Sequence, residues 1–266
     1  MKILIVGGGN MGRTYAESFI ANHSAARRDL FILEKEEDKI PYFKGLGFES
    51  VFTKSGDFIK EMNLIVLAVK PQDTSVLFHS LAPFMLPGQL VLSIMAGVKI
   101  DTLKKQLPTT KIIRAMPNLP AQVGMGMTGF TADQSVSRSE IFSVQNLLNT
   151  TGKSLYFDNE ALLDGVTAIS GSGPAYVYFF MQSMIEAGMK MGFTASESET
   201  LVEQTFLGAI HLLHNNNFSC KEWIEKVASK GGTTEAAISE FESDRLSQNI
   251  QNGLKAALKR SIELGG

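Results

Sequence analysis

The sequence has a single cysteine, Cys220, and only eight prolines in 266 residues. One cysteine closes no internal disulfide and supplies no Cys-rich zinc site, a usage that fits a reducing cytoplasm. An excess of charge of one sign is also lacking, since 25 Lys and Arg stand against 27 Asp and Glu for a formal net charge of −2. No basic field prepares the chain for a phosphate backbone or an anionic membrane, so neither nucleic acid nor membrane is expected as a partner. Long hydrophobic runs are missing too. The longest, at residues 64–69 and 175–181, fall far short of the roughly 20 residues that cross a bilayer. The unbroken apolar run before Gly7 is four residues long, too short for a signal-peptide core. A soluble, cytoplasmic protein is expected. What the sequence does have is 44% hydrophobic residues and 24 glycines. The first is ample for a buried core without cross-links. The glycines come in clusters.

Residues 3–6 form a continuous apolar run, as suits a strand buried on both faces. The run leads into glycine and then into Met11, Tyr15 and Phe19 at helical spacing. Runs at 30–33, 48–52, 64–69, 90–94 and 112–115 read as further strands, 139–148 as a helix and 154–157 as a closing strand. Short apolar strands alternating with helices predict an α/β domain over 1–158, a Rossmann-type doubly wound, mainly parallel sheet. After Asp158 strand-like runs vanish and helix punctuation takes over. Thr194 with Glu197 and Ser219 with Glu222 have capping-box spacing. Leu201, Val202, Thr205, Phe206, Ala209, Ile210 and Leu213 share one helical face. Residues 176–191 are apolar nearly all round, as in a helix buried on more than one side. Residues 159–266 therefore predict an all-α C-terminal domain that packs on a second copy of the chain.

Gly7-Gly8-Gly9-Asn10-Met11-Gly12 contains the Gly-x-Gly-x-x-Gly pattern between a strand and a helix. There glycine permits a tight turn and close approach of a pyrophosphate, and the helix start favours its charge. The plain alternative is a strand-to-helix turn. Glu34 follows Gly12 by 22 residues, at the end of the second strand, where an acid bonds a ribose 2′-hydroxyl. A carboxylate there favours NADH, whereas Lys35 would pair with the 2′-phosphate of NADPH. Alternatively, Glu34 only opens the solvated charge run 34–39. Ala68-Val69-Lys70-Pro71 ends the fourth strand, the side of such a sheet where ligands bind. Lys70 is either placed for a phosphate or acidic substrate or is an ordinary surface lysine. Ser93-Ile94-Met95-Ala96-Gly97 ends the fifth strand. Met116-Pro117-Asn118-Leu119-Pro120 is a stiff loop that would hold the nicotinamide amide or the substrate, or is simply an ordered turn. In Ser170-Gly171-Ser172-Gly173-Pro174-Ala175-Tyr176, Pro174 reads as a first helical residue capped by Ser172 or Gly173. The small residues would also admit a close ligand or backbone. Ser229-Lys230-Gly231-Gly232-Thr233-Thr234 precedes a helical pattern from Glu235. It reads either as a threonine N-cap or as free amides for a carboxylate with hydroxyls for a ring nitrogen.

Together these motifs resemble the Δ1-pyrroline-5-carboxylate reductase family over essentially the whole chain. The most specific run is 228–238, where Gly232-Thr233-Thr234 meets the Gly-x-Thr signature. Two residues depart from the pattern: Lys230 replaces a usual proline, and Trp223 a common aliphatic. Glu34 differs from the Arg- or Ser-containing segment of many NADPH-preferring members. The resemblance implies hydride transfer from NADPH or NADH to a ring imine, giving L-proline. It further implies a Rossmann domain and a helical domain, 159–266, that binds substrate and interleaves in a homodimer or an oligomer of dimers. Gly7, Gly9, Asn10, Met11, Gly12, Glu34, Lys35, Ala68, Val69, Lys70, Pro71 and Ala96 are then cofactor residues. Met116, Asn118, Ser172, Gly231, Gly232 and Thr233 are substrate residues, and Thr234 is catalytic through a hydrogen bond to the ring nitrogen. The amides of Gly232 and Thr233 are assigned to the carboxylate. His23, His79, His211 and His214 lie outside the motifs, and no metal is expected. The β-hydroxyacid dehydrogenases would need a lysine in the helix after Gly173, and 175–181 contains none. A non-catalytic NAD(P)-binding subunit would need only the first glycine cluster.

Overall fold

The computed structural model describes residues 1–265. The chain divides into two compact units, Met1–Gly173 with the returning segment from Ala257, and Pro174–Ala256. The change of sequence character at Asp158 thus precedes the division of the compact units by 15 residues.

The first unit is built on eight strands: β1 (Ile3–Val6), β2 (Leu30–Leu33), β3 (Ser50–Phe52), β4 (Leu64–Leu67), β5 (Leu90–Ser93), β6 (Ile112–Met116), β7 (Gly126–Ala132) and β8 (Gly152–Tyr156). Their order in the sheet is β3-β2-β1-β4-β5-β6-β7-β8. The first six run parallel, as the apolar runs predict. Helices α1 (Asn10–Ala21), α2 (Ile40–Gly45), α3 (Thr74–Leu81), α4 (Ile100–Gln106) and α5 (Arg138–Leu148) accompany the strands. Burial on both faces is the reason for unbroken apolar strands, and every residue of β1, β4 and β5 is buried. Side chains alternate across the strand, so Ile3 and Ile5 join a core with Tyr15 and Phe19, while Leu4 and Val6 join another with Ile65 and Phe78. Val6 aligns with both Leu33 and Leu67, which brings the carboxyl ends of three strands level at the point where the strand order reverses.

One strand was not legible. β7 lies antiparallel to β6 and parallel to β8. Gly126 and Gly129 depress its strand propensity, yet they are there for packing. A Cβ at Gly129 would stand 2.7 Å from Val166, and one at Gly126 2.7 Å from Ala121 and 2.8 Å from the carbonyl oxygen of Thr151.

The first unit closes on α6 (Leu162–Val166), which runs into a π turn, Thr167–Gly171, before α7 (Gly173–Lys190). The expected helix start is met to within a residue, α7 beginning at Gly173 with Pro174 as its second residue; the turn that precedes it is itself helical. Arg114, buried on β6, reaches Glu160 at 2.9 Å and Asp164 at 3.6 Å. Asp164 also accepts from Ser261 Oγ at 2.9 Å. Removing Arg114 leaves the buried Asp164 without its counter-charge, at about 3–5 kcal/mol.

The remaining helices are α8 (Ala195–His214), α9 (Cys220–Val227), α10 (Thr233–Ser243) and α11 (Leu246–Leu264). Both capping boxes predicted from sequence are formed, at Thr194 and Ser219. Within the second unit a close approach at Gly188, 2.8 Å from Ser198 Oγ to an added Cβ, seats α7 on α8. Burial is sparse. α7, α9 and α10 hold no buried residue, and of the apolar face of α8 only Val202 is buried. Phe179 is 71% exposed.

Candidate active site

The glycine loop after β1 is shaped by packing. Gly7 has φ +98°, a left-handed conformation that favours glycine. An added Cβ there would meet the Ala68 carbonyl oxygen at 2.8 Å and Val69 at 2.9 Å; one at Gly12 would meet the Gly7 carbonyl at 1.9 Å. Ala68 and Val69 thus form the wall against which the loop turns. Gly7 donates its N–H to Leu33 O at 2.9 Å. The amides of Asn10, Met11 and Gly12 have no acceptor among the described residues, as expected of the first turn of a helix. With Gly9 exposed and no atom within 4 Å of an added Cβ, this is a cradle open to an anion. The residues fit a dinucleotide pyrophosphate.

Glu34 does not belong to a solvated charge run: it is 4% exposed. Its Oε2 accepts from Gly8 N–H at 2.6 Å and its Oε1 from Glu36 N–H at 2.9 Å. The acid that ends β2 therefore also holds the glycine loop. Sequence reasoning missed Gly8, because the variable position of the motif gives no sign that its amide is bonded. Around Glu34, Lys35 pairs with Asp73 at 3.2 Å and Lys39 with Glu36 at 2.8 Å. The hydrogen bond from Lys39 holds the Glu36 carboxyl below its ordinary range. Lys70 is exposed and unpaired among the described residues, and Pro71 follows it at the start of a short 3-10 turn. Ala96 is exposed on the loop beyond β5.

At the end of β6, Met116 and Asn118 engage the π turn. Asn118 donates to Ser170 and accepts from Met127 N–H, so both ends of its carboxamide are occupied. Ser172 is half-buried with its hydroxyl unpartnered among the described residues.

In the second unit, Gly232 caps α10, and Thr233 and Thr234 are its first two residues. The expected threonine N-cap is thus not formed; no side chain among the described residues caps this helix. Gly231 has φ +72° and gives its N–H to Glu235 Oε2 at 2.6 Å, while Gly232 N–H goes to Ser229 O at 2.9 Å. The Gly232 amide, expected for the substrate carboxylate, is thus taken, and the amides of Thr233, Thr234 and Glu235 have no acceptor among the described residues. The hydroxyl of Thr234 is also without a partner among the described residues. Mid-helix threonines behave differently: Thr167, Thr200 and Thr205 each bond the carbonyl four residues back.

Two family models match the chain: pyrroline-5-carboxylate reductase dimerisation over residues 160–264, and NADP oxidoreductase, coenzyme F420-dependent, over 2–97. A pyrroline-5-carboxylate reductase of Pseudomonas aeruginosa is 37% identical over 80% of this chain and 79% of its own. The chain belongs to the pyrroline-5-carboxylate reductase family. A Coxiella burnetii member superposes with a TM-score of 0.92 at 31% identity, covering 100% of this chain and 98% of its own. A Plasmodium falciparum pyrroline carboxylate reductase, with NADP bound, gives 0.89 at 26% identity over 100% and 98%. For this reductase, the helical segment carries the family's dimerisation match, and the glycine loop after β1 lies in the oxidoreductase match.

Proposed function

We infer that this protein reduces Δ1-pyrroline-5-carboxylate to L-proline with NADPH or NADH. The observation that carries the reading is the start of α10, where two unbonded amides and the free Thr234 hydroxyl stand on adjacent residues. Amides at a helix N-terminus favour a carboxylate, and a threonine hydroxyl can donate to or accept from a ring nitrogen. Thr233 and Thr234 amides hold the substrate carboxylate, while the Thr234 hydroxyl holds the ring nitrogen as it gains its proton. Asn10 and Met11 amides hold the cofactor pyrophosphate, with Gly12 keeping the helix start close to the loop. When bound, the reduced nicotinamide supplies the hydride to the imine carbon. The protein contributes orientation and polar stabilisation.

Glu34 supports a preference for NADH. Its buried carboxylate and the charged Glu36 oppose a 2′-phosphate, and Lys35 and Lys39 are already paired with Asp73 and Glu36. The partner of the helical segment 159–266 is a second copy of the chain, in a cytoplasmic homodimer or an assembly of dimers. The support is the exposed apolar surface of α7, which an isolated chain leaves in water. No helix among the described residues is long and apolar enough to cross a membrane. The deciding experiment is turnover of the cyclic imine with each cofactor in turn. Oxidation of NADH or NADPH that depends on imine is expected. Cofactor binding without turnover would leave a non-catalytic subunit as the better reading.

A further inference from the structure

The helical turn just before Pro174 is held from outside the helix. The π turn Thr167–Gly171 is closed by a bond from Ser172 N–H to Thr167 O at 2.9 Å. Such turns are rare, and they recur at functional sites. Pro174 has no N–H, so the carbonyl of Ser170, four residues back, lacks its ordinary helical donor. Asn118, 52 residues away in sequence, replaces it. Its Nδ2 donates to Ser170 O at 3.1 Å and to Ser170 Oγ at 3.2 Å. Its Oδ1 accepts from Met127 N–H at 2.8 Å, at the start of β7, so the carboxamide cannot turn without losing a bond at each end. Met116 completes the contact: a Cβ at Gly171 would stand 2.7 Å from its Cε, which therefore rests on bare backbone. At its other end the helix is tied to β6 through Arg114, Glu160 and Asp164.

We propose that Asn118 is a positioning residue for hydride transfer: its carboxamide replaces the donor that Pro174 lacks and so fixes Gly171 and Ser172 beside the end of β6. That end belongs to the half of the sheet that takes the nicotinamide nucleotide in a doubly wound fold. The proposal rests on the reductase reading above and deepens it. Asn118 does not touch the reacting atoms; it sets where the backbone that meets them stands, and misplacement by about 1 Å costs on the order of 100-fold in rate.

Asn118→Asp keeps the acceptor for Met127 and sets an oxygen against the Ser170 carbonyl; Asn118→Ala removes the donor without adding charge. Each is expected to lower kcat about 10- to 100-fold while NAD(P)H affinity, read by nicotinamide fluorescence, stays within about twofold. Amide exchange at Ser172 should quicken. Pro174→Ala restores an N–H to the helix, so Asn118→Asp should cost less in that background than alone. A folded Asn118 variant with unchanged kcat overturns the proposal, as does an equal loss in the two backgrounds. If the unaltered protein fails to turn over the imine, the reductase reading falls instead. Ser172 exchange in the variants then still decides whether Asn118 holds the turn, because unchanged exchange removes the clamp.

Discussion

The two glycine loops, 7–12 in the first unit and 231–234 in the second, both end in the N-terminus of a helix with open amides, yet they are built by opposite means. The first is shaped by tertiary packing. Gly12 sits against the Gly7 carbonyl, Ala68 and Val69 wall the turn, and Glu34 reaches from β2 to hold Gly8. The second is shaped by near neighbours in sequence, Glu235 bonding Gly231 and Ser229 bonding Gly232, on a helix with no buried residue. A loop set into a core is complete within its own unit. A loop held by its neighbours in a thinly buried helical unit gains rigidity only from whatever covers that unit, which is why the second-copy reading matters to the chemistry as well as to stability.

Alanine at Gly12 and at Gly231 should separate the two. At Gly12 an added Cβ lies 1.9 Å from backbone, beyond what side-chain adjustment absorbs. A loss of about 3 kcal/mol or more is expected, the upper end for overpacking, with NAD(P)H affinity reduced by on the order of 100-fold. At Gly231 nothing lies within 4 Å and only the positive φ is penalised, about 1–2 kcal/mol. Thermal unfolding and cofactor titration of the two variants measure this. Equal losses would show that the second loop is as tightly packed as the first. Next in size, Thr234→Val should lower kcat/KM about 10- to 100-fold, the roughly 1.5–3 kcal/mol of a hydrogen bond to a charged group, with Thr234→Ser retaining most activity. Unchanged kinetics in the valine variant would take Thr234 out of the site.

The sheet was legible because burial on both faces writes itself as unbroken apolar runs, such as 64–67 and 90–93. β7 was not, because its glycines serve contacts with Val166 and Ala121 that have no local signature. The site was legible at the level of motifs and less so at the level of single groups. Pro174 reads as a helix start and α7 does begin one residue before it, but neither the π turn that precedes it nor Asn118, which compensates from far along the chain, has a local sign. The threonines at 233 and 234 read as caps, whereas Gly232 takes that position and leaves their hydroxyls free. What escaped the local rule was in the first case a partner distant in sequence and in the second a one-residue shift in helix start.

Glu34 offers a smaller and sharper test of the first loop. Glu34→Ala removes both the charge and the acceptor for the buried Gly8 amide. The second loss should weaken NADH and NADPH alike, by about 1–3 kcal/mol; the first should move only their ratio, about tenfold towards NADPH. Glu34→Gln keeps an acceptor and isolates the charge. An unchanged ratio in both variants would mean that Glu34 serves the loop and does not read the ribose.

The smallest effect belongs to the caps of the helical unit. The backbone N–H of Thr194, and then its hydroxyl, bond the Glu197 carboxylate and hold its carboxyl below the ordinary 4.5. A carboxyl lowered on folding stabilises the fold fully above its unfolded value and loses that contribution as pH falls through its folded value. The advantage of the unaltered protein over Glu197→Ala should therefore be constant above about pH 4.5 and shrink below it. The neutral acid still fills the cap but no longer as an anion at the positive end of the helix dipole. Unfolding of the two proteins followed from pH 7 to pH 3 measures the difference. An advantage that grows on acidification would contradict the sign, and one that is flat throughout would make the cap a matter of geometry alone.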